Sequence, residues 1–261
     1  MKEAVTYRVS EFVDDGLKEA EVTAIQEVPL TVFLNNHEVV TLLCTGKHPK
    51  YLAVGFLKSD GLITDVKQVQ EVRVDEETER IKVYVDTSPD SFQLPHLGRS
   101  ITSGCGKGTN FEQNMATTAA TQVTSTWTIS PQQILSLASE LQKRSILYQR
   151  TRGCHNASLC TPEEMLLFRE DIGRHNAIDM ICGQCFLEAI PTKDKLIVTT
   201  GRIASEILLK ALRLGVPILV SGSAATRLSI DLARKTNLTL VGLVCAGRMI
   251  VYNSAGRVTG L

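Results

Sequence analysis

Hydrophobic and polar positions repeat with two different periods along the chain, and this change of period divides it into two parts. In the first part, Leu30 to Leu34 and Glu38 to Cys44 are β-rich runs that flank Asn35-Asn36-His37. Because asparagine tolerates a positive φ angle, the pattern predicts a β-hairpin. The other elements predicted here are a helix over about 51–58 and strands at 66–74 and 81–85, which together make a small α+β unit.

Strands and helices alternate regularly in the second part. Ser130-Pro131 is typical of a helix start, and an apolar stripe with a 3.6-residue period follows it. Further helices are predicted over about 176–189, 204–214 and 225–235, with strands at 165–168, 196–198, 218–220, 238–244 and 249–252. This alternation predicts an α/β fold with a mainly parallel sheet and helices on both faces.

Between these parts, residues 87–126 have no clear period and are rich in Ser, Thr, Gly and Asn. Long connections of this kind are often functional. We therefore expect a small N-terminal α+β domain over 1–100, a mobile linker over 101–126 that carries Cys105, and an α/β domain over 127–261.

Composition narrows the class of protein. The 261 residues have a formal net charge of zero, which disfavours non-specific nucleic-acid binding. Seven irregularly spaced cysteines in a chain of this length favour a reduced, cytoplasmic setting. We expect no membrane span, because no apolar run approaches roughly 18 residues, and the N-terminal residues do not resemble a signal peptide.

Three predicted strand-to-helix loops have a composition suited to phosphate. Open parallel sheets bind ligands beyond the carboxyl ends of their strands, where helix N-termini and arginines attract anions. The alternative is ordinary helix capping. The candidate ligand contacts in these loops are Asp171, Gly173, Arg174, His175, Thr200, Gly201, Arg202, Ser221 and Gly222.

Cys105 is the candidate nucleophile. It lies between Gly104 and Gly106, with Lys107 nearby to favour the thiolate. Such a thiol could accept and pass on sulfur, although an ordinary surface cysteine is the alternative. Cys182 and Cys185 form a CxxC motif, but they fall on the apolar stripe of a helix, so we interpret them as core residues.

Two further segments have open interpretations. His155, next to Cys154, and His175 are each interpreted as structural or ligand-contacting rather than catalytic. Near the C-terminus, Gly242 to Arg248 ends a strand and turns through Gly247. That segment is either a plain hairpin turn or an approach to a phosphorylated ligand.

Several of these motifs resemble the FdhD family. Glu170 to Asp179 reads EDIGRHNAID, like the family signature E-D-x-G-R-H-N-A-x-D. Thr200 to Glu206 is similar to a second family block, and Gly242 to Tyr252 resembles the family's C-terminal block. The family loop C-G-x-C-G is only partly matched, because Gly108 stands where the family has its second cysteine.

The resemblance implies a sulfurtransferase with a cytidine deaminase-like fold that forms homodimers. It implies that Cys105 takes persulfide sulfur from a cysteine desulfurase and transfers it to molybdenum bis(molybdopterin guanine dinucleotide) for formate dehydrogenase. It also places the cofactor against Leu243, Val244, Cys245, Ala246, Gly247 and Arg248. His155 and the three loops are further candidate contacts from their own residues. A GDP-like ligand would fit the same crevice.

Two other functions stay open from the sequence. The first is a non-catalytic chaperone that binds and delivers the molybdenum cofactor or a guanine nucleotide. The second is a zinc deaminase, which would require H-x-E and P-C-x-x-C motifs. His155-Asn156-Ala157 lacks the glutamate and Cys182 lacks the preceding proline, so we expect no metal site.

Overall fold

The computed structural model describes residues 3–77, 80–87, 99–101 and 121–260. Its N-terminal part contains a five-stranded sheet of order β5-β6-β3-β4-β7, with helix α1 and a short 3-10 helix, Val66–Gln68, in the connection after β4. The bounds are β3 Val28–Leu34, β4 His37–Cys44, α1 Pro49–Ser59, β5 Val69–Glu77, β6 Arg80–Thr87 and β7 Arg99–Ile101. The predicted β3–β4 hairpin is confirmed, since Asn35 and Asn36 both have positive φ angles.

A separate two-stranded hairpin precedes this sheet, and the sequence analysis missed it. Strand β1 spans Ala4–Val13 and pairs antiparallel with β2, Gly16–Ile25. Asp14 and Asp15 form the turn with positive φ angles. In β1, Val5, Tyr7 and Val9 alternate with polar residues, so the period of a strand was visible in the sequence, although these three side chains are exposed in the structure.

The C-terminal part alternates helices and strands around a six-stranded sheet. Its helices are α2 Pro131–Arg144, α3 Ile146–Thr151, α4 Arg174–Leu187, α5 Ser205–Leu214 and α6 Arg227–Thr236. Its strands are β8 His155–Cys160, β9 Met165–Asp171, β10 Leu196–Thr199, β11 Ile218–Ser221, β12 Thr239–Cys245 and β13 Arg248–Asn253. Strand β8 and helix α3 were not predicted.

This sheet is mixed, so the prediction of a mainly parallel sheet was wrong. The strand order is β13-β12-β11-β10-β8-β9. Strands β10, β11 and β12 are parallel, whereas the β10–β8, β8–β9 and β12–β13 pairs are antiparallel. Parallel pairs form where a crossover helix joins the strands, and short turns join β8 to β9 and β12 to β13.

Helices cover both faces of the six-stranded sheet, as predicted. Helix α2 packs on one face, against Val198, Val220 and their neighbours. Helices α4, α5 and α6 pack on the other face, around Ile197 and Leu219. Because both faces are covered, the central strands are apolar throughout, and only the strand ends reach solvent.

Helix α1 packs directly against α4 and connects the two sheets. A Cβ atom at Gly55 would lie 1.7 Å from the Asp179 carbonyl oxygen, and one at Gly183 would lie 1.9 Å from the Tyr51 carbonyl oxygen. The two glycines therefore allow backbone to touch backbone. We call this contact the α1–α4 joint.

The predicted domain boundaries and the expected lack of a membrane span can be compared with the described residues alone. The boundaries of the predicted domains fall within 88–126, where residues 88–98 and 102–120 lie outside the described part of the chain, so the division stays a prediction. Across the described residues, the helices are all too short or too polar to span a bilayer.

Candidate functional site

Four strands of the C-terminal sheet end at the same edge. Strands β9, β10, β11 and β12 run in one direction and finish at Asp171, Thr199, Ser221 and Cys245. Strand β8 runs the opposite way, so it begins at this edge with His155. The loops that the sequence marked as candidate ligand contacts therefore converge.

Backbone hydrogen bonds join these loops to one another. The donors and acceptors are Thr200 N–H to Asn156 C=O, Gly222 N–H to Thr199 C=O, and Leu243 N–H to Ser223 C=O, each at 3.0 Å. The bonds continue the pairing of the sheet beyond its last regular residues. We call the resulting surface, formed by 153–156, 199–202, 221–223 and 242–248, the strand-end ledge.

A cavity of about 750 Å³ opens beside the strand-end ledge. Helices α2 and α3 form its other wall, and three predicted contacts, His155, Thr200 and Gly222, lie in its lining. Its volume is in the range typical of small-molecule sites. The remaining lining residues are Gln142, Ser145, Tyr148, Gln149, Arg152, Gly153, Cys154 and Asn156. None of these described lining residues carries a carboxylate.

Two of the predicted ligand contacts, Ser221 and Gly201, have structural roles beneath the surface of the ledge. The Ser221 side chain is fully buried; its Oγ donates to the Gly201 carbonyl at 2.7 Å and accepts from Ser223 N–H at 3.0 Å. Gly201 is needed for space, because a Cβ atom there would lie 2.8 Å from Arg174 Cβ. The expectation that the Ser221 hydroxyl contacts a ligand is therefore not supported.

Asp171 was also expected to contact a ligand, but its carboxylate is hydrogen-bonded within the protein. Its carboxylate is fully buried and accepts four hydrogen bonds. Thr45 donates both N–H and Oγ1, Asn176 donates Nδ2, and Gly173 donates its N–H, all at 2.7–3.0 Å. Asp171 thus holds β9 to the N-terminal sheet, and the Gly173 N–H is used inside the protein.

Charged side chains lie on the α4 and α5 side of the edge. Arg174 is half-buried and packs over Gly201, while Arg202 is exposed in the loop after β10. His175 Nε2 lies 3.5 Å from a carboxylate oxygen of Glu206, and this histidine is the main reason that the Glu206 pKa is lowered.

His155 lies between the cavity and these charged groups. It is half-buried, and its pKa is lowered first by burial and then by the positive charges of Arg174 and His175. The imidazole is therefore favoured in its neutral form near pH 7. Binding an anion nearby would offset the repulsion and favour protonation.

The segment Leu243–Arg248 is a hairpin turn whose middle is open to solvent. Ala246 and Gly247 both have positive φ angles, and Cys245 and Arg248 are exposed. Val244 is different, because its side chain is buried in the core. Of Val244, only the backbone is therefore available to a ligand.

The cysteines differ sharply in accessibility. Of the six described cysteines, only Cys245 is exposed. Burial is the main factor that raises the thiol pKa to about 12 for Cys44, Cys154, Cys182 and Cys185, and to about 11 for Cys160. Cys182 and Cys185 lie in the apolar core, as interpreted from the sequence. Cys105 lies outside the described residues.

Sequence reasoning missed Asn156 and the helical wall of the cavity. Asn156 is a buried polar residue in a strand whose next residues are Ala157, Ser158 and Leu159. A polar amide at the start of a buried strand was the available signal. The contribution of α2 and α3 could not be seen, because it depends on how the chain returns to the sheet.

The chain resembles one known protein family over almost its whole length. The model of the FdhD/NarQ family matches residues 25–259. The chain is 42% identical over 244 residues to the Sulfur carrier protein FdhD of Bacillus subtilis (strain 168), covering 93% of this chain and 92% of that protein. It is 39% identical over 259 residues to the protein of the same name from Halalkalibacterium halodurans, covering 97% and 94%.

A solved structure has the same fold. The crystal structure of a putative formate dehydrogenase accessory protein from Desulfotalea psychrophila aligns with a TM-score of 0.78 over 97% of both chains, at 22% sequence identity. This likeness concerns the fold alone, whereas the family model and the two sequence relatives cover nearly the whole chain. The chain belongs to the FdhD/NarQ family.

Proposed function

We propose that this protein is a cytoplasmic sulfur carrier. In this proposal, Cys105 takes sulfur from a cysteine desulfurase and gives it to molybdenum bis(molybdopterin guanine dinucleotide), which formate dehydrogenase then receives. The observation that carries the proposal is the extended similarity to relatives named Sulfur carrier protein FdhD. A homodimer is proposed on the same family basis.

The distribution of thiols supports Cys105 as the carrier. A persulfide forms when a thiolate attacks the outer sulfur of a donor persulfide and releases the donor thiol. Five described cysteines are buried with raised thiol pKa values, so they are poor nucleophiles at neutral pH. Cys105 and the exposed Cys245 remain as candidates, and Cys105 has the glycine-flanked context beside Lys107.

The cavity and the ledge support a nucleotide-bearing substrate. Their combined surface offers Arg152, Arg202 and Arg248, which are all exposed, and the cavity lining has no carboxylate among its described residues. Anionic pyrophosphate is attracted to such a surface. A volume of about 750 Å³ suits one guanine nucleotide half of the cofactor rather than all of it.

The test is whole-protein mass spectrometry after incubation with a cysteine desulfurase and cysteine. The wild type should gain about 32 Da per transferable sulfur, and Cys105→Ala should not. Cys245→Ala is the matched control, because it removes the exposed described thiol and should still gain the sulfur. A gain on Cys105→Ala equal to that of the wild type would rule out Cys105 as the carrier.

The second candidate is a chaperone that binds and delivers the cofactor without a covalent step. It is favoured by Gly108, which leaves the loop with one cysteine where the family pattern has two. It predicts that Cys105→Ala binds GDP as the wild type does and fully restores formate dehydrogenase activity in a deletion strain. The sulfur-carrier proposal predicts binding without restored activity.

A further inference from the structure

One acceptor atom at the cavity has no hydrogen-bond partner among the described residues. Asn156 is 1% exposed and lies in the cavity lining. Its Oδ1 atom is buried and unpaired. Because a buried amide oxygen without a donor is unfavourable, such an atom points to a donor that the described residues do not supply, such as a bound ligand.

The other polar groups of Asn156 are all engaged. Its N–H donates to Thr200 Oγ1 at 3.0 Å, and its carbonyl accepts from Thr200 N–H at 3.0 Å and from Thr199 Oγ1 at 2.8 Å. Its Nδ2 donates to Ser145 Oγ. The residue is therefore held rigidly at the start of β8, with only Oδ1 left over.

The orientation of the amide follows from the hydrogen bonds around it. Ser145 Oγ donates its single proton to the Leu141 carbonyl at 2.7 Å, so it can only accept from Asn156. The amide nitrogen must consequently face Ser145, which fixes the position of Oδ1. Ser145 is the C-cap of α2, so the helix holds its hydroxyl in place.

We propose that Asn156 Oδ1 accepts a hydrogen bond from the N–H edge of a guanine base, and that Ser145 is the positioning residue for this contact. The inference rests on the proposed function, which supplies a guanine nucleotide as the ligand. Guanine carries N1–H and a 2-amino group on one edge, and an amide oxygen with two lone pairs can accept from both.

The unpaired acceptor determines which end of the nucleotide lies against Asn156. An unpaired acceptor repels phosphate oxygens, so the base and not the pyrophosphate lies against Asn156. The pyrophosphate then extends towards exposed Arg152 in the cavity lining and exposed Arg202 on the ledge. This arrangement places recognition in the rigid interior and charge neutralisation at the surface.

The test is calorimetric titration of the full chain with GDP and with IDP, whose hypoxanthine base lacks the 2-amino group. The wild type should bind GDP roughly ten-fold or more tightly, as expected for one good hydrogen bond in a buried site. Asn156→Ala should bind both nucleotides equally weakly. Ser145→Ala frees the amide to rotate and should reduce the preference for GDP.

Asn156→Asp is the conservative variant, because it keeps an acceptor oxygen and should keep the preference for GDP. Thermal unfolding of each variant shows which are folded, and the ratio of the two affinities is insensitive to a general loss of stability. Equal affinities in the wild type, or an undiminished preference in folded Asn156→Ala, would overturn the inference.

The mass measurement on Cys105 separates this inference from the proposed function. If the wild type binds no GDP yet takes up sulfur on Cys105, the guanine contact is wrong and the carrier proposal stands. If it neither binds GDP nor takes up sulfur, both are wrong.

Discussion

The α1–α4 joint and the strand-end ledge both contain small and polar residues, but they differ in whether the polar side chains find hydrogen-bond partners within the protein. At the joint, the buried Asp179 carboxylate accepts from Ser59 Oγ at 2.7 Å and from Lys210 Nζ at 2.6 and 2.7 Å. Its partners come from α1 and α5, inside the same chain. The joint is complete without any ligand.

At the ledge, hydrogen bonds between loops also satisfy the backbone, but side-chain groups remain available. Asn156 Oδ1 has no partner among the described residues, and Arg202 and Arg248 project into solvent. The joint therefore serves stability, while the ledge retains groups that a ligand can satisfy. Changes at the joint should alter unfolding, and changes at the ledge should alter binding.

The largest effect is expected from Lys210→Met. This change leaves Asp179, which is 1% exposed, without its counter-charge. Removing one partner of a buried ion pair lowers the free energy of unfolding by about 3–5 kcal/mol. Urea denaturation monitored by circular dichroism measures it.

The double variant Lys210→Met/Asp179→Leu is the control for this prediction. It removes both charges and should recover much of the lost stability, since an apolar pair of similar volume replaces a buried ion pair well. A double variant as unstable as Lys210→Met would show that packing, rather than charge, dominates at this position.

The second effect is expected from Gly183→Ala. The added methyl group would meet the Tyr51 carbonyl oxygen at 1.9 Å, so α1 and α4 would have to move apart. Overpacking of this kind should lower the free energy of unfolding by about 3 kcal/mol.

Gly222→Ala is the matched control on the ledge. There the nearest atom to the added methyl group is the Val244 carbonyl oxygen, at an ordinary 3.7 Å. Its free energy of unfolding should stay within about 0.5 kcal/mol of the wild type. Similar losses for the two alanine variants would contradict the distinction between joint and ledge.

The sequence predicted the parts of this comparison that depend on local chemistry. The Ser130 cap is confirmed as a capping box with Gln133, and each of the three candidate loops does follow a strand and precede a helix. The α1–α4 joint was not predicted, although Gly55 and Gly183 were visible. A glycine in a helix reports close packing only once its partner helix is known.

The orientation of the edge strands and the role of Asp171 could not be predicted either. Strand β8 is antiparallel to β10 because the chain enters the sheet from α3, and nothing in its residues specifies that direction. Asp171 lies in the family signature, which suggested a ligand contact, but its donors include Thr45, which is 126 residues away in sequence. Long-range contacts of this kind decide whether a polar residue is structural or available.

A third, smaller effect is expected from Arg202→Ala. Arg202 is exposed, so its removal should leave the free energy of unfolding within about 0.5 kcal/mol of the wild type. GDP affinity should fall roughly five- to ten-fold and become less dependent on salt, because a charge near the pyrophosphate is lost.

Arg80→Ala provides the comparison for Arg202. Arg80 is an exposed arginine on β6 of the N-terminal sheet, so the substitution removes the same charge away from the ledge. GDP affinity should be unchanged in this variant. Equal losses in the two variants would mean that the net charge of the protein, and not the ledge, attracts the nucleotide.

The smallest effect is a pH dependence carried by His155. Its pKa in the folded protein is lowered below the ordinary 6.5 by burial and by Arg174 and His175. As the pH falls below 6.5, the unfolded chain therefore takes up the proton first, and the stability that neutral His155 contributes is lost down to the folded-state pKa. His155→Gln should flatten this part of the profile in urea denaturation between pH 7.5 and 5.5.

GDP distinguishes His155 from His48, a second described histidine whose pKa is lowered, which is next to α1 in the N-terminal part. A pyrophosphate on the ledge offsets the repulsion at His155 and raises its pKa towards the ordinary value. Saturating GDP should consequently remove the His155 component of the pH dependence and leave the His48 component, so GDP binding should tighten as the pH falls. If GDP leaves the wild-type profile unchanged while still binding, the phosphates do not lie near His155, and the ligand must enter the cavity from another direction.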